Sequence, residues 1–175
     1  MQVSKIGIEF IKHIERAHDG NLTKAGLQPK MDPIGIWTVG YGHALVNKIT
    51  KKYLKGQKDF KLVESQYPEF LNMTLVQASL LLEKDLKKEE LKITKNVSVP
   101  LEQHQFDALA SYCYNVGQSS TLWSLINTKA SEDSIQKWFE THYISANGEN
   151  LPGLVRRRKA EAYLYRTGKV DYFEV

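Results

Sequence analysis

Apolar positions in this chain follow a helical period over most of its length, and one short stretch breaks the rule. Across residues 5–16, Ile6, Phe10, Ile14 and Ala17 fall on one face behind Ser4 as N-cap, which predicts a first helix. Asp19-Gly20-Asn21 is expected to stop it. The exception is Asp32-Pro33-Ile34-Gly35-Ile36-Trp37-Thr38-Val39-Gly40-Tyr41-Gly42-His43, which reads as a tight turn and then a short, glycine-interrupted strand. Gly35, Gly40 and Gly42 remove side chains where backbone must bend or approach closely. Ile36, Thr38 and Tyr41 supply the β-branched and aromatic residues of the strand. Residues 19–45 are therefore expected to form a small β-lobe.

The helical period returns at Thr74. Thr74-Leu75-Val76-Gln77 fits a capping box and opens a helix with Leu82, Leu86 and Ile93 near one face. Val97 to Pro100 ends it. Leu101 to Val116 is expected to be the central buried helix, with Phe106, Leu109, Ala110 and Cys113 inward and Gly117 closing it. Shorter helices are expected at Thr121 to Asn127 and Ser134 to Tyr143. Residues 147–153 read as a loop, and Leu154 to Thr167 as a last helix stopped by Gly168. Between the β-lobe and Thr74, residues 46–72 show no period. Lys48, Lys51, Lys52, Lys55, Lys58 and Lys61 stand there among scattered aromatics. That segment reads as an insertion, either a solvated connection or a basic flap over an anionic partner.

Bulk properties narrow the class. At 175 residues the chain fits one domain with a real core, and its 42% hydrophobic and 25% charged composition is that of a globular protein. No apolar run is long enough to cross a membrane. Glu9 and Lys12 interrupt the N-terminal apolar run, so no signal peptide is expected and action outside the cytoplasm would need another export route. The single cysteine, Cys113, excludes an internal disulfide and sits in an apolar helix pattern. A net charge of +4 suits an anionic partner such as a bacterial wall, without specifying one. HExxH, paired CxxC, Walker, GxGxxG and nucleophile-elbow patterns are all missing. His13, His18, His43, His104 and His142 have no metal-ligand spacing, and no nucleic-acid-binding module is recognisable.

What remains is a carboxylate at a helix end, another in a turn and a hydroxyl on the strand that follows. At the C-terminal end of a helix the dipole disfavours a charged carboxylate, a bias that a general acid needs. Glu15 occupies such a position, although a lone helix-end glutamate is more often merely solvated. Together with Asp32 and Thr38 it suggests a glycoside-hydrolase cleft.

These residues carry a resemblance. Glu15, then Asp32 and Thr38 in an Asp-x5-Thr relation closing on Thr38-Val39-Gly40-Tyr41-Gly42-His43, resembles the T4-type phage lysozymes, glycoside hydrolase family 24. Gln105-Phe106-Asp107-Ala108-Leu109 running to Tyr114-Asn115-Val116-Gly117 is a second block. Leu151-Pro152-Gly153-Leu154-Val155-Arg156-Arg157-Arg158 with Glu161 is a third. The resemblance implies a predominantly helical α+β fold, with a small β-hairpin lobe and a larger helical lobe joined by the helix after Thr74. It implies Glu15 as acid, and Asp32 with Thr38 holding a water. Tyr114, Asn115, Thr121 and Arg157 are implied on the substrate side, with Arg157 matching the arginine that pairs with the catalytic glutamate. Tyr114 and Asn115 read equally well as a core aromatic and a helix cap. Trp123, Trp138 and Phe139 are expected in the core.

The implied activity is a muramidase acting on bacterial peptidoglycan as a monomer, without metal or cofactor. Such a protein would be made in the bacterial cytoplasm and reach the wall through a holin or another machine. Two departures stand out. Sixteen residues separate Glu15 from Asp32, a wider gap than the family's pair, and Arg16 replaces the usual glycine after the glutamate. Asp19 is thus an alternative second carboxylate, though it lacks the relation to Thr38. A lysozyme-fold module that binds glycan or protein without cleaving it is the alternative function. Membrane disruption by a cationic segment around Arg156 to Lys159 is a weaker one.

Overall fold

The computed structural model describes residues 1–146 and 148–174. The fold is α+β and predominantly helical. It comprises α1 (Lys5–Glu15), β1 (Lys30–Met31), β2 (Trp37–Val39), β3 (His43–Ala44), α2 (Phe60–Gln66), α3 (Leu75–Asn96), α4 (Gln103–Val116), α5 (Ser120–Asn127), α6 (Glu132–Thr141), β4 (Ser145–Ala146), β5 (Glu149–Asn150) and α7 (Pro152–Thr167). Two compact units result, Glu15–Asp85 in one and Met1–Ile14 with Leu86–Val175 in the other.

The unit Glu15–Asp85 holds a three-stranded antiparallel sheet in the order β1-β2-β3. Its register sets Lys30 opposite Thr38 and Thr38 opposite Ala44. Under the sheet lies a core of Trp37, Val39, Leu45, Leu54, Val63, Tyr67, Met73 and Ala78. This corrects the expectation for residues 46–72. They are no solvated connection, because Leu54, Val63 and Tyr67 are buried in the same core as the strands. Their pattern is aperiodic because α2 is too short to display a helical period and irregular backbone flanks it. Trp37 Nε1 donates to the Gly56 carbonyl at 2.9 Å, tying the segment to β2.

In the other unit, Ser4 caps α1 as expected: its hydroxyl accepts from the Gly7 amide at 3.1 Å. The inward face is Gly7, Phe10 and Ile11, whereas Ile6 is 61% exposed and leaves the expected stripe. Asp107 on α4 explains the rotation. Its carboxylate accepts from the Ser4 amide at 2.9 Å, and a Cβ on Gly7 would stand 2.6 Å from Asp107 Cγ. Phe106, Leu109, Ala110 and Cys113 of α4 are buried as expected, and so are Trp123, Trp138 and Phe139. Helix α6 starts and ends two residues earlier than its pattern suggested, because Ser131 caps it by accepting from the Ser134 amide. The expected loop 147–153 is partly structured. Glu149–Asn150 pairs with Ser145–Ala146, α7 already starts at Pro152, and Asn147 lies outside the described residues. Proline at the first helical position needs no amide partner, which accounts for the earlier start.

Candidate active site

Glu15, Asp32 and Thr38 all fall within the unit Glu15–Asp85. Glu15 is the last residue of α1. Arg16 follows with φ 53°, a left-handed conformation that turns the chain. The chain then runs antiparallel to the end of β2, where the His18 amide donates to the Gly40 carbonyl at 2.7 Å. Gly40 and Gly42 have φ 58° and 90°, and they carry the turn back beneath the Glu15 carboxylate.

The wide gap between Glu15 and Asp32 is a closed loop. The Gly20 amide donates to the Gln28 carbonyl at 3.1 Å, and Leu27 and Met73 exchange two backbone hydrogen bonds. Asp19 locks the loop's base, its Oδ1 accepting from the amides of Asn21 and Gln28. The insertion therefore returns the chain to β1 and leaves Asp32 at the start of the turn into β2. Asp32 Oδ1 accepts from the amides of Ile34 at 3.0 Å and Ile36 at 2.8 Å, which holds that turn. Among the described residues no hydrogen bond reaches Asp32 Oδ2.

Thr38 is buried in the middle strand, with 4% exposed. Its hydroxyl donates to the Lys30 carbonyl at 2.9 Å, and its Oγ1 lies 2.8 Å from His18 Nδ1. Burial lowers the His18 pKa from its ordinary 6.5; Glu15 opposes this, Lys30 adds to it and Asp32 opposes it. His18 is thus hydrogen-bonded to Thr38, and the charges of Glu15 and Asp32 both act on its ring. A survey of histidines for metal spacing passes over His18. The usable signal is its position three residues after the candidate acid, inside the unusual gap.

His43 is structural in its contacts, with Nδ1 2.6 Å from Asp85 Oδ2 and its ring edge-on to Phe70. Beside β1 and β2 a recess of about 280 Å³ is lined by Lys24, Gln28, Lys30, Trp37 and Phe60 among others. Among the described residues no group of His, Cys, Asp and Glu could hold a metal ion, and no helix is long and apolar enough to cross a membrane.

Tyr114, Asn115, Thr121 and Arg157 belong to the other unit. Asn115 is exposed at the end of α4, and its Oδ1 accepts from Arg158 Nη2 at 2.8 Å. Thr121 is exposed in the first turn of α5, and Tyr114 is half-buried. Arg157 is buried, its Nε donating to Glu161 at 3.0 Å and its Nη2 to the Ser111 carbonyl at 3.0 Å. Arg158 is fully buried and also reaches Glu161, at 3.0 Å, while Arg156 is exposed.

This architecture is that of the lysozyme-like α+β proteins. The chain belongs to the phage lysozyme family, which matches it over residues 23–161. It is 31% identical to the endolysin of Salmonella phage P22, over 94% of this chain and 98% of that one. It is 28% identical to the endolysin of Bacillus phage B103 but spans 56% of that protein's length. The solved endolysin of Escherichia coli O157:H7 phage FAHEc1 superposes with a TM-score of 0.70 at 27% identity, covering 98% of this chain and 97% of the other.

Proposed function

We propose that this chain is a muramidase of the T4 type, glycoside hydrolase family 24. It hydrolyses the β-1,4 bond between N-acetylmuramic acid and N-acetylglucosamine in bacterial peptidoglycan. Glu15 protonates the leaving glycosidic oxygen. Asp32 Oδ2 takes the proton of a water on the other face of the sugar, and Thr38 holds that water. Displacement by water in one step inverts the anomeric centre. Asp32 Oδ1 spends its hydrogen bonds on the turn, so the residue is oriented by one oxygen and reacts through the other. No metal or organic cofactor enters these steps. The protein works as a monomer on the wall polymer, with Tyr114, Asn115, Thr121 and Arg157 on the substrate side, and reaches the wall by holin release or another export route.

What supports this reading is the loop that closes between the two carboxylates, leaving Asp32 at the turn into the strand of Thr38. Glu15 and Asp32 both act electrostatically on the His18 ring that Thr38 contacts. The test is release of new reducing ends from purified peptidoglycan by wild type and Glu15→Gln. Reducing ends on N-acetylmuramic acid, lost by about 10²–10⁴-fold in the variant with its fold intact, are expected. Clearing at an unchanged rate by Glu15→Gln rules the mechanism out.

A further inference from the structure

We propose that His18 is a positioning residue for Thr38, its Nδ1–H fixing the threonine hydroxyl as a hydrogen-bond acceptor towards the attacking water. The inference deepens the muramidase reading and rests on it for the role of the water. A threonine hydroxyl has one proton and two lone pairs. The Lys30 carbonyl can only accept, so at 2.9 Å it takes the Thr38 proton. The 2.8 Å contact to His18 Nδ1 is then a ring N–H donated to Thr38 Oγ1. One lone pair on Oγ1 remains. Towards a third partner Thr38 can only accept, so it draws on one O–H of the water while Asp32 Oδ2 accepts the other.

Both supports of the hydroxyl are set by backbone pairing. The His18 amide is bound to the Gly40 carbonyl at 2.7 Å, and Lys30 stands directly opposite Thr38 in the sheet. Rotation of the threonine about its Cα–Cβ bond would break two hydrogen bonds together. The proton inventory also fixes the ring, for a neutral imidazole protonated on Nδ1 is bare on Nε2. Of the charges that act on it, Glu15 and Asp32 favour a second proton and Lys30 opposes one. Burial outweighs them in sum and keeps the ring neutral at neutral pH. Protonation at lower pH adds a positive charge that acts on both an acid and a base whose division of labour depends on their charges.

The tautomer is read on the intact wild-type protein by nitrogen NMR of the isotope-labelled histidine rings. His18 is expected in the Nδ1–H form, titrating below 6.5, and Thr38→Val is expected to shift it towards the Nε2–H form. A wild-type His18 carrying its proton on Nε2 overturns the proposal. The second arm is kinetic. His18→Gln should lower kcat by up to about 10²-fold, the scale of a misplaced reacting group, with KM little changed. It should also erase the titration below 6.5 from the pH–rate profile. A variant with the wild-type kcat and profile overturns the proposal as well. If wild type releases no reducing ends from peptidoglycan, the muramidase reading fails, and the tautomer measurement still decides the His18–Thr38 pairing.

Discussion

The carboxylate of Glu15 lies over the bare α-carbon of Gly42, so close that a Cβ there would stand 3.7 Å from Oε2. Space alone would admit a methyl group at that distance. The backbone would not, since Gly42 has φ 90° and an L side chain is strained there. Gly42→Ala should therefore cost about 1–3 kcal/mol and move the turn beneath the acid. Thermal denaturation together with lysis of purified peptidoglycan checks this, and both are expected to fall. An alanine variant matching wild type in both would show that the turn does not support Glu15.

Arg16 gives the converse case, a bulky residue where the chain needs a left-handed conformation. At φ 53° it carries a penalty of roughly 1–2 kcal/mol that glycine would not. Arg16→Gly and Arg16→Val remove the same side-chain interactions, and only glycine relieves the strain, so the glycine variant should be the more stable of the two by about 1 kcal/mol. Arg16→Val adds β-branching to the same conformation and should be clearly destabilising. Urea unfolding of the two variants is the measurement. Equal midpoints for glycine and valine would remove the argument from backbone strain.

Much of this was legible from residue types. Periodicity located α3 because it buries one face, α4 read as the central helix and is buried all round from Phe106 to Cys113, and the Thr74 and Ser4 caps are made as their side chains predict. Gly35, Gly40 and Gly42 were expected where the backbone bends, and all three have positive φ. Residues 46–72 were opaque for a physical reason: Val63 reaches the core from α2, too short to display a period, and Leu54 and Tyr67 reach it from irregular backbone on either side. His18 was invisible for another reason. Its meaning comes from Thr38, twenty residues away and adjacent only once the loop 19–29 has closed.

Asp32 and Asp19 present the same problem to an aligner and different environments to a chemist. Each caps a turn through Oδ1, a task that asparagine performs equally well. Asparagine therefore removes charge and basicity while sparing the fold. Asp32→Asn should lose about 10²–10⁴-fold in lysis rate, and Asp19→Asn should stay near wild type. Reducing-end assays on the two purified variants, with matching circular dichroism, decide between them. A more damaged Asp19→Asn would move the base to the other side of the inserted loop.

Alkaline pH should unfold this protein partly through Cys113. The thiol is 1% exposed, and burial pushes its pKa well above the ordinary 9.0. Burial likewise lifts Tyr165 to about 12. In the unfolded chain both groups ionise at their ordinary values, so above pH 9 the native state binds more protons than the unfolded one. Stability is complete below that pH and falls as pH rises through the window above it. Cys113→Ala should flatten the fall in Tm between pH 9 and about 10.5, apart from a constant loss for the cavity. The folded thiol should also resist a disulfide reagent at pH 8 and react on unfolding. Prompt labelling of the native protein would contradict the burial.

Glu161 is a buried carboxylate with charged partners. It is fully buried and receives Arg157 Nε and the Ser111 hydroxyl on Oε1, at 3.0 and 2.7 Å, while Arg158 Nε stands 3.0 Å from Oε2. Two buried guanidinium groups thus share one carboxylate, and Arg157 and Arg158 add the Ser111 carbonyl and Asn115 Oδ1 as neutral partners. Such a network need not stabilise the fold relative to an apolar core, because three charges leave water to form it. Breaking it is another matter. Glu161→Gln keeps the shape but removes the negative charge that two buried guanidinium groups share, and a loss of about 3–5 kcal/mol is expected. Arg156→Gln, on the exposed side of the same helix, should change stability by less than about 0.5 kcal/mol. Chemical denaturation of both variants measures the contrast. If Glu161→Gln unfolded at the wild-type midpoint, the buried charges would have to be compensated by something other than this carboxylate.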